Sequence, residues 1–305
     1  MPAHDSSSAV GIVGLGIMGL AMARNLVAAG RRVVGHDIEA GRAQALADAG
    51  GSAAASPQGV AEQADVVLTV LPAAGVLEEV LVAGNGLIAA GNKNLIVADC
   101  GTFEIADKQR CQALLIGAGM QMLDCTISGT GAQAVTKDLV VYASGDRAAY
   151  EQCQPAFAGF ARASHYVGPF GDGSKVKFVA NLLVAIHTAA TAEAMVLAQR
   201  AGLDLQAVYD LVRDGAGNSR MFELRGPAMV AGEYGRNVAS KLELWQKDMQ
   251  VIGRFAAEVQ SPVPLFAASA QLYAAALEQG LGAQDMAAIC AVLEGRAGIT
   301  RKRGP

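Results

Sequence analysis

Lys177 and Asn181 lie four positions apart in GDGSKVKFVANLLVAIHTAATAEAMVLAQR, the stretch from Gly171 to Arg200. On a helix that spacing places both side chains on one face, one above the other. From Phe178 to Ile186 every residue except Asn181 is apolar. An ammonium and an amide entering such a region are costly unless they meet a partner, and a reacting hydroxyl or carbonyl is one such partner. The competing reading is that Lys177 reaches solvent along its own stem while Asn181 satisfies a neighbouring backbone group. A second constellation is Gly14-Leu15-Gly16-Ile17-Met18-Gly19, a G-x-G-x-x-G turn able to cradle a pyrophosphate. A third, Ser128-Gly129-Thr130-Gly131, either aims successive N–H groups at a carboxylate or is an ordinary loop. A fourth, Lys247 and Asp248, taken alone is a surface ion pair.

These groups need elements to hold them. Nearly thirty residues after Gly171 run without proline or internal glycine beyond Gly173, enough for roughly 40 Å of helix, with Asp172 or Ser174 able to cap its start. Its apolar middle predicts burial on all sides. Val10–Val13 reads as a buried strand feeding the glycine turn, and a helical pattern follows to Ala29. Gly14 makes the tight turn, Gly16 lets backbone approach phosphate, and Gly19 lets helix pack on strand. A second strand, Arg32–His36, ends at Asp37, eighteen residues beyond Gly19, where a carboxylate would bind a ribose 2′-hydroxyl. Ala64–Leu71 and Leu95–Ala98 continue a strand-helix alternation, followed by Met122–Cys125, Leu139–Ser144 and His165–Val167. Such alternation predicts a doubly wound parallel sheet whose carboxyl edge gathers the loops, bringing Leu71, Pro72 and Thr102 to the cofactor. Thr102 can instead cap a helix beginning at Phe103. Beyond Gly173 strands vanish, and 204–213, 218–231, 244–258 and 265–279 read as helices. The expected organisation is an α/β domain over 1–171 and an all-helical substrate and oligomerisation domain over 172–305, joined by the long helix.

With 305 residues, 52% hydrophobic and 17% charged, the chain has material for about two compact domains. A formal net charge of -4 points away from nucleic acid and anionic membranes, and Arg301, Lys302 and Arg303 read as a short solvated tail. The five cysteines are widely spaced and never paired as C-x-x-C, which fits reduced thiols in the cytoplasm and neither a metal site nor a disulfide framework. MPAHDSSSAV lacks the basic and apolar regions of a secretory signal, and the uncharged run from Phe178 to Ala192 is short for a membrane span.

Taken in order, four stretches give the chain its likeness: Gly11-Ile-Val-Gly-Leu-Gly-Ile-Met-Gly19, Asp124-Cys-Thr-Ile-Ser-Gly-Thr130, Gly171-Asp-Gly-Ser-Lys-Val-Lys-Phe-Val-Ala-Asn181, and Lys247-Asp248. The chain resembles the β-hydroxyacid dehydrogenase family, of 3-hydroxyisobutyrate dehydrogenase-like type with the NAD-binding type of 6-phosphogluconate dehydrogenase, and the likeness covers nearly its whole length. The resemblance implies a Rossmann-type sheet domain, Lys177 as the catalytic lysine, and Asn181 as its partner at the substrate. Lys175 does not match. It further implies Ser128 and Gly129, with Thr130 beside them, as substrate contacts, Lys247 near nicotinamide or substrate with Asp248 beside it, and a homodimer or homotetramer. The expected activity is hydride transfer between a nicotinamide cofactor and a small 3-hydroxy acid or its semialdehyde or keto acid. Lys177 would accept the hydroxyl proton in oxidation and return it in reduction. NAD is the expected cofactor because Asp37, with Glu39 close by, would repel a 2′-phosphate, although Arg42 leaves NADP possible. The alternatives are imine or other carbonyl reduction on the same scaffold, or a catalytically silent dinucleotide sensor. Two departures touch the substrate end. Asp99-Cys100-Gly101-Thr102 stands where the family usually has Asp-x-Ser-Thr, and Ser128-Gly129-Thr130 where it usually has Ser-Gly-Gly. Both predict a pocket of altered shape with poor activity on 3-hydroxyisobutyrate.

Overall fold

The computed structural model describes residues 9–236 and 238–301. The chain divides into two compact units between Lys177 and Phe178. The first opens with β1 (Ala9–Val13), α1 (Ile17–Ala28), β2 (Val33–His36), α2 (Ala40–Asp48), β3 (Ser52–Ala53), α3 (Pro57–Ala61), β4 (Ala64–Thr69) and α4 (Ala74–Val82). It continues through β5 (Ile96–Asp99), α5 (Ile105–Gly117), β6 (Gln121–Ser128), α6 (Gly131–Val135), β7 (Val140–Ser144), α7 (Arg147–Phe160), β8 (Ala163–Gly168) and the start of α8 (Asp172–Arg200). The eight strands form one sheet in the order β3-β2-β1-β4-β5-β6-β7-β8.

Strands β1 to β6 pair in parallel, so both faces need cover, and β1 is buried from end to end. Alternate residues feed two cores. Val10 and Ile12 join Leu26, Leu68, Leu123 and Phe157 on one side, while Ala9 and Val13 join Val67, Leu77, Val97 and Phe103 on the other. The doubly wound sheet expected from the alternation is present, with one difference. β7 runs antiparallel to β6, and β8 follows β7 in parallel. Residues 129–139 separate β6 from β7, shorter than the dozen or more residues a parallel crossover takes, so the chain folds straight back.

The second unit takes the rest of α8, then α9 (Leu205–Arg213), α10 (Arg220–Ala231), α11 (Leu242–Glu258), α12 (Pro264–Glu278) and α13 (Ile289–Arg296). Phe222, Met229, Trp245, Ile252, Phe266, Tyr273 and Ile289 are buried within it. A buried ion pair, Arg225 Nη1 to Asp285 Oδ2 at 2.6 Å, ties α10 to the turn before α13. The Tyr273 hydroxyl donates to the Ala185 carbonyl at 3.2 Å, fastening α12 to α8.

Two expectations change. By length and composition α8 is long enough to cross a bilayer, although its longest uncharged run, Phe178 to Ala192, stays short of one as expected. It is also not buried on every face, because Val179, Leu183 and Leu197 are exposed. And Arg301 is not part of a solvated tail. Its guanidinium meets Glu294 Oε1 through Nε at 2.7 Å and donates to the Val230 carbonyl at 2.8 Å, since a buried carboxylate on α13 needs a cation. Lys302, Arg303 and the first eight residues lie outside the described residues.

Candidate active site

At the carboxyl end of β1 the glycine turn is dictated by close approach. Gly14 has φ +95°, a Cβ on it would sit 2.3 Å from the Val70 carbonyl oxygen, and a Cβ on Gly19 would sit 1.9 Å from the Gly14 carbonyl oxygen. Gly16 is the converse, because nothing lies within 4 Å of where its Cβ would be. It is also the N-cap of α1, whose first turn receives no side-chain cap. Open space and uncapped N–H groups at one helix end are what a pyrophosphate requires, so the residues fit a dinucleotide. Ile17 and Met18 form the first turn of α1, and Leu71, just past β4, borders Gly14. Pro72 and Thr102 stand in the loops after β4 and β5. α5 begins at Ile105 behind Glu104, so Thr102 does not cap it.

Asp37 stands at the end of β2 with its carboxylate fixed from two sides. Oδ2 accepts the Leu15 N–H at 2.7 Å, and Oδ1 accepts the Glu39 N–H at 2.9 Å. Arg42 approaches Asp37 at 3.5 Å but makes its shorter ion pair, 2.7 Å, with Glu39.

On α8, Lys177 and Asn181 are both buried, one turn apart on one face. Lys175 points elsewhere, pairing with Asp172 at 2.9 Å while half exposed. Asn181 Nδ2 donates to Asp248 Oδ2 at 2.9 Å, and Lys247 Nζ lies 3.4 Å from Asp248 Oδ1. Asp248 therefore holds the Asn181 amide and leaves its carbonyl oxygen as the acceptor. The Lys-Asp pair is more than a surface ion pair, because its aspartate reaches a buried partner.

Two family models match, the NAD binding domain of 6-phosphogluconate dehydrogenase over residues 9–168 and the NAD-binding domain of NADP-dependent 3-hydroxyisobutyrate dehydrogenase over 171–293. The chain is 35% identical to an L-threonate dehydrogenase of Cupriavidus necator, over 94% of this chain and 96% of the relative. The chain belongs to the β-hydroxyacid dehydrogenase family. It is a nicotinamide-dependent hydroxy acid dehydrogenase. A 2-(hydroxymethyl)glutarate dehydrogenase of Eubacterium barkeri is 29% identical over 98% of the dehydrogenase and 99% of the relative. The solved 3-hydroxyisobutyrate dehydrogenase of Salmonella typhimurium superposes with a TM-score of 0.83 at 32% identity, covering 93% of this chain and 99% of that one.

The loop after β6, where the dehydrogenase was expected to meet its substrate, holds a local hydrogen-bond pair at Thr130. Its hydroxyl accepts the Gln133 N–H at 3.4 Å and its own N–H donates to Gln133 Oε1 at 3.0 Å, a capping box that starts α6. One of the three N–H donors expected to face a carboxylate is thereby used inside the loop.

Gly101 has an equally local cause. A Cβ there would lie 2.3 Å from Phe103 Cε2, so the hydroxyl usual in the family is excluded by the Phe103 ring. That ring sits 5.7 Å from the ammonium of Lys108, a fully buried residue that the sequence reading missed. Lys108 Nζ lies 2.8 Å from Asp99 Oδ2 and 2.7 Å from Asp124 Oδ1. Burial works against its charge, yet the Asp124 and Asp99 carboxylates outweigh burial and hold its pKa above the usual lysine range. A signal existed. Lys108, Cys111 and Leu115 are spaced as one helical stripe, and the other two are buried apolar positions.

Proposed function

We propose that the dehydrogenase acts on a small hydroxy acid of the L-threonate type, interconverting it with the carbonyl compound, with Lys177 as general acid and base. The observation that carries the reading is the Asn181 to Asp248 hydrogen bond, which orients an amide one helical turn from a buried lysine. The similarity to L-threonate dehydrogenase over nearly the whole length of both chains supports the substrate class. When bound, the nicotinamide supplies the hydride acceptor for oxidation and the hydride donor for reduction. In oxidation, neutral Lys177 takes the hydroxyl proton while the C–H electron pair departs and the carbonyl forms; in reduction the ammonium returns that proton to the new alkoxide. Asn181 orients the lysine and the reacting oxygen, and Asp248 keeps Asn181 in place. The Ser128 and Gly129 N–H groups hold the substrate carboxylate.

The turn from Gly14 to Gly19 with the first turn of α1, Ile17 and Met18 included, would hold the pyrophosphate, and Leu71, Pro72 and Thr102 the remainder. NAD is the preferred form. Asp37 and Glu39 outnumber Arg42 at the end of β2, and the shorter contact of Arg42 is to Glu39, so a 2′-phosphate would meet net negative charge. The exposed apolar residues Val179, Leu183 and Leu197 on α8 support a homo-oligomer, and five buried free thiols fit a reducing cytoplasm.

The test is a panel of L-threonate, 2-(hydroxymethyl)glutarate and 3-hydroxyisobutyrate assayed with NAD+ and NADP+ by nicotinamide absorbance. L-threonate with NAD+ should give the highest kcat/KM. Lys177→Ala should lower kcat by roughly 10²- to 10⁴-fold with dinucleotide affinity unchanged, and Lys175→Ala should do little. Silence across the panel beside tight dinucleotide binding refutes the activity, and a more damaging Lys175→Ala refutes the catalytic face.

A further inference from the structure

Asp99 and Asp124 are register partners on the adjacent strands β5 and β6, and both are fully buried. Two carboxylates side by side in a dry interior repel strongly unless a cation stands between them. Lys108, projecting from α5, is that cation. The far side of Asp124 is committed to α8. Its Oδ2 accepts the Ser174 N–H at 2.7 Å and its Oδ1 accepts the Ser174 hydroxyl at 3.0 Å. The Ser144 hydroxyl accepts the Gly173 N–H at 2.9 Å, and the Thr126 hydroxyl donates to the Gly173 carbonyl at 2.8 Å. Asp124 is thus an N-cap supplied from another strand, placed at the positive end of the helix that carries Lys177 three residues later. Nothing in the expected cap, Asp172 or Ser174 acting locally, anticipates this.

We propose that Lys108 is a positioning residue for the reaction: by neutralising the Asp99 and Asp124 pair it keeps Asp124 as the carboxylate cap of α8 and so fixes the turn that presents Lys177. The proposal rests on the assignment of Lys177 as general acid and base. The charged groups in the cluster are Asp99, Lys108 and Asp124, with the Thr69 hydroxyl donating to Asp99 Oδ1 at 2.8 Å. The other titratable groups around it are the thiols of Cys100, Cys111, Cys125 and Cys153, all of which burial pushes up, Cys111 to about 11 and Cys153 to about 12, so they stay neutral.

Lys108→Met removes the cation and keeps an unbranched side chain only one atom shorter. The two carboxylates must then share a proton. With that proton present Asp124 still caps α8; as pH rises and it leaves, the pair repels and the cap fails. The native state of the variant holds a proton that the unfolded chain releases near the ordinary carboxylate range, so its stability and its kcat both fall as pH rises. Lys108→Met should therefore have near wild-type kcat at the acid end of the profile and lose roughly 10²-fold toward the alkaline end, the scale of a small misplacement of a catalytic group. Its dinucleotide affinity should not change. Lys108→Met with Asp99→Asn removes the repulsion and should restore the wild-type profile. A Lys108→Met profile parallel to wild type, or a double variant no better than the single one, overturns the proposal. If Lys108→Met does not fold, Asp124→Asn and Asp99→Asn decide: roughly 10²-fold loss of kcat for the first and near wild-type kcat for the second support it, and equal effects overturn it. Lys177→Ala run alongside separates the two ideas. Full kcat in Lys177→Ala removes both, whereas its loss with an unshifted Lys108→Met profile removes only the role of Lys108.

Discussion

Restoring the family's serine at position 101 should damage this protein. In Gly101→Ser the new Cβ would stand 2.3 Å and 2.4 Å from Phe103 Cε2 and Cζ, more than 1 Å inside ordinary carbon contact distance. Phe103 is 3% exposed and belongs to the core beneath the sheet, so its ring cannot swing into solvent without opening that core. Overpacking of this kind costs about 1–3 kcal/mol. Displacing the ring from above the Lys108 ammonium removes a further contribution of about 0.5–2 kcal/mol. For a sheet unit of this size, the overpacking alone corresponds to a fall in Tm of about 2–12 °C. Thermal unfolding followed by circular dichroism, with and without dinucleotide, measures it. Phe103→Val should cost less stability beside Gly101→Ser than it does alone, because the γ-carbons of valine do not reach the ring atoms that clash. A Gly101→Ser protein that melts with wild type, or a Phe103→Val change that costs the same with and without Gly101→Ser, would falsify the steric account of Gly101.

Two further expectations follow from the same unit. Wild-type kcat/KM should be higher with NAD+ than with NADP+, and replacing Asp37 and Glu39 together by serine should narrow that ratio by at least tenfold, by removing the two charges a 2′-phosphate would face; an unchanged ratio in steady-state kinetics would show that specificity lies elsewhere. Thr130→Ala should cost about 0.5–2 kcal/mol in urea unfolding by deleting the α6 cap, while relative kcat/KM across hydroxy acids stays constant; a specificity change without a stability change would place the Thr130 side chain in the substrate pocket instead.

The parts of the fold that a reader of the sequence could see are those whose cause is local. The glycine turn, the alternation of strands and helices, and the reach of α8 each depend on neighbours a few residues apart, and Gly14, Gly19 and Asp37 are where that reading put them. The reversal of β7 was harder because it is set by how far residues 129–139 can carry the chain, not by strand composition. The cap at Thr130 was legible, since Thr at 130 with Gln at 133 is a capping-box spacing, but the resemblance turned attention to the substrate end of the loop. Lys108 is of another kind. Its partners sit on two different strands, and only the sheet register brings Asp99 and Asp124 together for it to join. Gly101 follows from it at one remove, through Phe103.

The cap on α8 also bears on the order in which the chain folds. A helix usually carries its start signal in its own sequence, so that its first turn can form before anything else is in place. Here the start signal is borrowed across fifty residues, from Asp124 to Ser174. The loop between them must close, with β7 and β8 laid down inside it, before the first turn of α8 gains its cap. The amino-terminal turn of α8 therefore depends on the sheet for its cap. Without β6 in place the long apolar helix lacks the carboxylate that closes its first turn, the turn that leads to Lys177.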